Sequence, residues 1–79
     1  MTRVQIADLI DRFVDGTAGA HEWDDFVSVP LREPELEAIR RECGDVPRKY
    51  PADSARQYCN EQGAAVLKAI AGQVRRGLE

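Results

Sequence analysis

Apolar residues along this chain recur three and four positions apart, in short stretches separated by glycine and proline. That spacing places them on one side of an α-helix, whereas a half-buried β-strand needs an apolar residue at every second position. No stretch alternates with period two over enough residues to form a strand. The pattern therefore predicts an all-α fold, a small bundle of three to four short helices in a single domain covering residues 1–79.

The first segment carries a start signal and a stop signal. Thr2 and Gln5 have the spacing of a capping box, and Gly16 is a natural residue for the left-handed end of a helix. These signals predict a helix over residues 3–15. Its apolar face consists of Ile6, Leu9, Ile10 and Phe13.

The middle of the chain is divided by prolines. Residues 16–20 are predicted to be a connection, and residues 21–28 a short helical stretch that ends before Pro30. The sequence leaves open how many helices lie between residues 16 and 35. The next helix is predicted to begin at Pro34 and to end at Gly44.

A loop is predicted over residues 45–52, because Pro47 and Pro51 both disfavour regular helix. The last helix is predicted to begin at Asp53-Ser54, where Ser54 and Gln57 again have capping-box spacing, and to end near Arg76. Gly63 inside it costs about 1 kcal/mol relative to alanine, so a break near residues 60–63 is an alternative. The predicted core-facing stripe consists of Tyr58, Cys59, Gln62, Ala65, Val66, Ala69, Ile70, Gln73 and Val74.

The net charge of −3 is unevenly distributed along the chain. Residues 1–47 carry eleven acids and five bases, and residues 48–79 carry three acids and six bases. A nucleic-acid-binding protein normally has a concentrated basic face, so no nucleic-acid partner is expected. The chain contains neither a signal peptide nor an apolar run long enough for a membrane span, which predicts a cytoplasmic protein without a membrane partner.

Acids recur on the side of the first helix opposite its apolar face, and Asp8 is spaced to pair with Arg12. Asp11 and Asp15 lie towards the C-terminal end, where the helix dipole disfavours a carboxylate by about 0.3–1 kcal/mol. Acids that are present despite the unfavourable helix dipole indicate a basic protein partner. If residues 21–28 fold back beside the first helix, the acids of that segment extend the acidic patch. The candidate protein-binding residues are Asp8, Asp11, Asp15, Glu22, Trp23, Asp24 and Asp25.

No catalytic, cofactor or metal site is predicted, and the chain is not expected to be an enzyme. His21 is the single histidine, and its acidic neighbours in sequence point in different directions on a helix. Cys43 and Cys59 are predicted to be free thiols, too few to form a zinc site with one distant histidine. Asp53-Ser54-Ala55 is similar to the Asp-Ser-Leu motif of acyl carrier proteins, but it departs at Ala55 and lies too late in the chain. A helix cap is the favoured role of Ser54, and a carrier protein is a remote alternative.

The run Trp23-Asp24-Asp25-Phe26, followed by Glu37-Ala38-Ile39-Arg40-Arg41-Glu42-Cys43, resembles a group of short bacterial proteins of uncharacterised function. The resemblance covers about residues 9–60 and implies no activity. In size, acidity and helicity the chain is also similar to toxin-immunity proteins, without a shared motif.

The leading prediction is a small acidic protein-binding module, of inhibitor or immunity type, whose binding to a basic partner weakens with salt. The alternative is a structural or self-associating protein, such as a homodimer. In that alternative, a second copy packs against the small residues Gly63, Ala64, Ala65 and Ala69 of the last helix.

Overall fold

A computed structural model describes residues 2–53 and 58–76, and within them the chain forms four α-helices and no strand. The helices are α1 (Arg3–Asp15), α2 (Ala20–Ser28), α3 (Pro34–Lys49) and α4 (Glu61–Arg75). The predicted all-α bundle is confirmed. The stretch between residues 16 and 35, whose helix count the sequence left open, contains one separate helix, α2.

α1 begins and ends where its sequence signals predict. The Thr2 hydroxyl oxygen accepts a hydrogen bond from the Gln5 backbone N–H at 3.1 Å, and the Thr2 N–H donates to Gln5 Oε1 at 2.8 Å. Gly16 ends the helix in the left-handed conformation, with a φ of 83°. Both capping interactions join residues that are close in sequence, which is why the pattern alone predicts them.

One hydrophobic core lies between the four helices. α1 packs mainly against α4, and α3 packs against both α4 and α2. No polar or charged residue is buried in the described ranges. The buried residues come from every helix: Ile6, Ala7, Leu9, Ile10, Trp23, Phe26, Leu36, Ile39, Cys43, Val46, Leu67, Ile70, Ala71 and Val74.

The predicted end of α3 at Gly44 is wrong, because the helix continues to Lys49. The predicted loop over residues 45–52 therefore begins too early. Cys43 and Val46 are both buried in the core, so burial of their side chains stabilises the last turns of the helix.

Pro47 lies inside α3, where the sequence argues against regular helix. A proline has no N–H to donate to the carbonyl four residues earlier, which here belongs to Cys43. That carbonyl oxygen instead accepts a hydrogen bond from the Tyr58 hydroxyl at 3.1 Å. A side chain distant in sequence thus replaces the hydrogen bond that Pro47 removes.

The predicted start of the last helix at Asp53 is also wrong. α4 begins at Glu61, and Asn60 Oδ1 caps it by accepting a hydrogen bond from the Gly63 N–H at 2.9 Å. The predicted cap at residues 54–57 lies outside the described residues. The alternative of a break near residues 60–63 agrees with this start.

The core-facing side of α4 differs from the predicted stripe. Gln62, Ala65, Ala69 and Gln73 were predicted to face the core, and all of them are exposed. The residues that α4 buries are Gly63, Leu67, Ile70, Ala71 and Val74. The predicted stripe counts helical turns from Tyr58 and Cys59, which lie before the first residue of α4. The predicted core-facing side is therefore rotated about the helix axis relative to the observed one.

Among the described helices, none has both the length and the apolar character that crossing a membrane requires.

Candidate protein-binding surface

Arg12 joins two of the predicted acids across the α1–α2 interface. Its Nε donates to Asp8 Oδ2 at 3.0 Å, and its two terminal nitrogens donate to the two carboxylate oxygens of Glu22 at 2.9 and 3.1 Å. The Arg12 hydrogen bonds and the Gly19 backbone N–H lower the pKa of Glu22 below its ordinary value. α2 thus folds back beside α1, and Asp8 and Glu22 lie around a single guanidinium.

Asp11 and Asp15 face α4 instead. Lys68 Nζ lies 3.4 Å from Asp11 Oδ1 and 3.3 Å from Asp15 Oδ1, and Arg75 also pairs with Asp11. Partial burial raises the pKa of Asp11, but Arg75 and Lys68 lower it more, so the net shift is downward. This α1–α4 seam pairs two acids with two bases, so the acids that the α1 dipole disfavours have basic partners in the same chain.

Trp23 is 3% exposed, and its ring belongs to the core rather than to the surface. It stacks on Phe13 with a centroid distance of 4.0 Å and meets the edge of Tyr58 at 5.6 Å. Its indole N–H makes no hydrogen bond within the described ranges. The Trp23 side chain therefore offers a partner almost no exposed surface.

Asp24 and Asp25 are exposed on α2, and neither forms an ion pair with any residue that the structure describes. Trp23 and Phe26 direct the opposite side of the helix into the core. α2 contains no lysine or arginine. The free negative charge of the predicted acid set is therefore concentrated on this helix.

An open apolar groove of about 360 Å³ lies beside α2. Val29 is 57% exposed there, and the other strongly exposed large aliphatic residue among those described is Val4 on α1. Glu22 and Asp25 stand one helical turn apart on α2 and supply the only charged groups of the lining. We name this site the α1–α2 groove, and its lining residues are Leu9, Glu22, Asp25, Phe26, Val29 and Leu31.

Two residues that the sequence analysis does not place in the binding surface, Glu37 and Arg40, fix the far wall of the α1–α2 groove. Glu37 Oε1 accepts hydrogen bonds from the Leu31 N–H at 2.9 Å and from Arg40 Nε at 2.7 Å. Arg40 also donates to the carbonyl of Val27 at the end of α2. The spacing of Glu37 and Arg40 predicts an ion pair on one helix, but nothing local indicates that the pair holds the α2–α3 connection.

A second pocket, of about 520 Å³, lies between the aromatic cluster and the start of α4, with Asp24 and Cys59 in its lining. Both cysteines are free thiols. Burial raises the pKa of Cys43 to about 12 and also raises that of Cys59, so both thiols are protonated at neutral pH. The described residues contain no cluster of three metal-ligating side chains.

The remaining candidates from the sequence lie apart from these sites. Ser54, the basis of the carrier alternative, is outside the described residues. The small residues proposed for self-association do not form one surface: Gly63 is buried, Ala64 lines the aromatic pocket, and Ala65 and Ala69 are exposed.

Comparison of the chain with protein-family models, with curated proteins and with solved structures finds no match, and the two resemblances stated above stay predictions.

Proposed function

We propose that the chain is a small acidic protein-binding module that binds a basic protein partner through α2. The observation that carries the proposal is the state of Asp24 and Asp25, which are exposed, adjacent in sequence and without an ion pair among the described residues. An inhibitor or immunity-type protein is one form of such a module. The proposal assigns no catalytic residue and no cofactor.

The distribution of compensated charge supports this choice of face. Asp8, Asp11, Asp15 and Glu22 all have an arginine or lysine within hydrogen-bonding or ion-pair distance. A partner that approaches those acids competes with an existing cation, whereas at Asp24 and Asp25 it meets an unpaired carboxylate. Unpaired surface charge mainly raises the association rate and the selectivity for partners of opposite charge.

The proposed place of action is the cytoplasm, where thiols stay reduced. The two free cysteines support this compartment. The acidic face also supports the absence of a nucleic-acid partner, because a phosphate backbone is repelled by it.

The test is affinity capture from a lysate of the source organism, with the tagged wild type, the double variant Asp24→Lys with Asp25→Lys, and a matched control. The control, Glu42→Lys with Glu61→Lys, makes the same charge change at two exposed acids that form no ion pair among the described residues. We expect one stoichiometric protein that is lost at high salt and lost with the α2 variant, but retained by the control.

Two outcomes would contradict the proposal. Equal retention by the α2 variant and the control would remove α2 from the interface. Recovery of the chain alone at both salt concentrations, together with a dimer in sedimentation, would favour the self-associating alternative.

A further inference from the structure

We propose that the α1–α2 groove receives an apolar side chain from a basic, helical segment of the partner protein. This inference rests on the proposed function and specifies the partner's binding element. Three properties of the groove support it: the floor is apolar, the edge is negatively charged, and the wall is fixed by hydrogen bonds.

The floor of the groove is suited to an aliphatic or aromatic side chain. Leu9 and Phe26 form its base, and Val29 and Leu31 extend it towards solvent. Its volume of about 360 Å³ is small, at the lower end of the range of roughly 300–1,000 Å³ that binding pockets show. Such a site fits one or two side chains of a macromolecule, because burial of an apolar anchor is what gives most interfaces their affinity.

The edge of the groove selects a basic segment. Glu22 and Asp25 line it, and Asp8 lies beside it around Arg12. Arg12 pairs with Asp8 and Glu22, whereas Asp25 has no cation of its own within the described part of the chain. A lysine or arginine flanking the apolar anchor would complete the charge balance at Asp25.

The geometry favours a helix as the inserted element. The groove is bounded by α1, α2 and the connection to α3, so it offers no unpaired strand edge to which an extended peptide could add. An amphipathic helix presents apolar anchors three or four residues apart and basic residues beside them, which matches a narrow apolar floor with acids on one edge.

The wall is preorganised for binding. The Glu37 carboxylate accepts a hydrogen bond from the Leu31 N–H. Arg40 donates hydrogen bonds to Glu37 and to the carbonyl of Val27. The connection between α2 and α3 is thus fixed before a partner arrives, which reduces the conformational entropy lost on binding.

The test uses the full chain and a synthetic peptide, with binding followed through the methyl and amide NMR signals. The probe is a capped amphipathic helical peptide of lysines and alanines that carries two leucines four residues apart. One control peptide replaces both leucines with alanine and keeps the charge, and the other replaces the lysines with glutamate and keeps the leucines. We expect saturable shifts at Leu9, Val29 and Leu31, about tenfold weaker binding without the leucines, and no binding by the acidic peptide.

Variants of the protein separate the apolar contact from the charge. Val29→Ser removes exposed apolar surface without touching the core, and we expect about fivefold weaker binding of the probe. Asp25→Lys should weaken it at least as much at low salt, whereas Glu42→Lys, on α3 and outside the groove lining, should leave it unchanged.

The inference is overturned if the probe does not bind at millimolar concentration, if its shifts map to the aromatic pocket around Phe13 and Tyr58, or if Val29→Ser has no effect. The proposed function fails separately. If the captured partner depends on Asp24 and Asp25 but not on Val29, the acidic module stands and the groove is not its anchor site. If the probe occupies the groove but no captured protein depends on Asp24 and Asp25, the groove stands and the proposed role of the free acids is wrong.

Discussion

The carbonyl of Cys43, inside α3, accepts a hydrogen bond from a side chain fifteen residues further along the chain. Pro47 leaves this carbonyl without its usual donor, and a buried acceptor without a donor destabilises a protein by about 1–3 kcal/mol. The Tyr58 hydroxyl supplies the donor at 3.1 Å. The connection between α3 and α4 is thereby tied to the last turns of α3.

This arrangement predicts coupling between Pro47 and Tyr58. Tyr58→Phe keeps the aromatic packing and removes the hydroxyl, so we expect the free energy of unfolding to fall by about 1 kcal/mol. In a Pro47→Ala background the restored N–H can donate to Cys43, and the same change should have a clearly smaller effect. Urea unfolding of the four proteins in this double-mutant cycle measures the coupling. Equal effects of Tyr58→Phe in both backgrounds would show that the hydroxyl does not compensate for the proline.

Two glycines of α4 are predicted to respond to alanine with opposite signs. A Cβ at Gly63 would lie 2.8 Å from the Cβ and Sγ of Cys59 and 3.0 Å from the Cβ of Tyr50. The Cβ atoms of Cys59 and Tyr50 are bonded directly to the backbone, so a change of side-chain rotamer cannot relieve these contacts. We expect Gly63→Ala to destabilise the protein by about 1–3 kcal/mol despite its better helix propensity. Gly72 has no such neighbour within 4 Å, so Gly72→Ala should stabilise the protein by about 0.5–1 kcal/mol.

Thermal unfolding of both alanine variants checks this pair. A gain in stability from Gly63→Ala would mean that Cys59 and Tyr50 move aside at little cost, and that Gly63 is no more than an unfavourable helix residue.

At the scale of elements, α2 is held in place by interactions at both of its ends. Glu22 binds the Gly19 N–H and Arg12 at the N-terminal end, and Arg40 binds the Val27 carbonyl near the C-terminal end. α2 has nine residues, too few to be stable as an isolated helix, so these polar anchors and the burial of Trp23 and Phe26 are what define it.

The stabilisation that Glu37 gives to the α2–α3 connection depends on pH. Arg40 above all, and then the Leu31 N–H, lower the pKa of Glu37 well below its ordinary value of 4.5. Because the unfolded chain binds this proton more readily, the stabilisation by Glu37 is complete above pH 4.5 and is lost as the pH falls through the lowered folded-state pKa. The stability advantage of wild type over Glu37→Gln should therefore shrink steadily in acid.

Denaturant unfolding of the two proteins from neutral pH down to the acid limit of the fold measures this difference. Glu42→Gln, at an exposed acid of the same helix, accounts for the general effect of removing one acid from α3. A wild-type advantage over Glu37→Gln that stays constant in acid would contradict the proposed role of the ionised carboxylate.

The sequence predicts elements well where their signals are local and poorly where they depend on distant contacts. The ends of α1 follow from Thr2, Gln5 and Gly16, which act within one helical turn. The end of α3 at Lys49 agrees with a local signal, because Pro51 disfavours helical backbone at Tyr50, but the continuation of the helix through Pro47 does not. The start of α4 leaves Tyr58 and Cys59 outside the helix, and that boundary does not follow from spacing either. The same holds for the α1–α2 groove. Its acids were predicted, but its apolar wall was not, because Glu37 positions the wall from another helix.

For the whole molecule, part of the uneven charge of the chain is compensated between helices. The acidic first half contributes Asp11 and Asp15, and the basic second half contributes Lys68 and Arg75, and these four residues meet in the α1–α4 seam. The order of the charges along the sequence therefore reflects which helices pack together. Other acids of the first half, such as Asp8 and Glu22, pair with Arg12, whereas Asp24 and Asp25 form no ion pair with a described residue and remain available to a partner.

That division predicts two classes of acid with separable effects. Asp11→Lys places a third cation beside Lys68 and Arg75, so we expect the midpoint of thermal unfolding to fall by about 5 °C. Adding Arg75→Glu should restore most of the loss, since the pair is then present with its charges exchanged. Asp25→Lys makes the same charge change at an acid that forms no ion pair with any described residue. It should therefore leave the midpoint of thermal unfolding nearly unchanged and affect only binding. Calorimetry at low salt, repeated at high salt to screen the charges, separates the classes. If both reversals lower the midpoint equally, the acids of α1 and α2 would form one surface, and the distinction between structural and free carboxylates would be wrong.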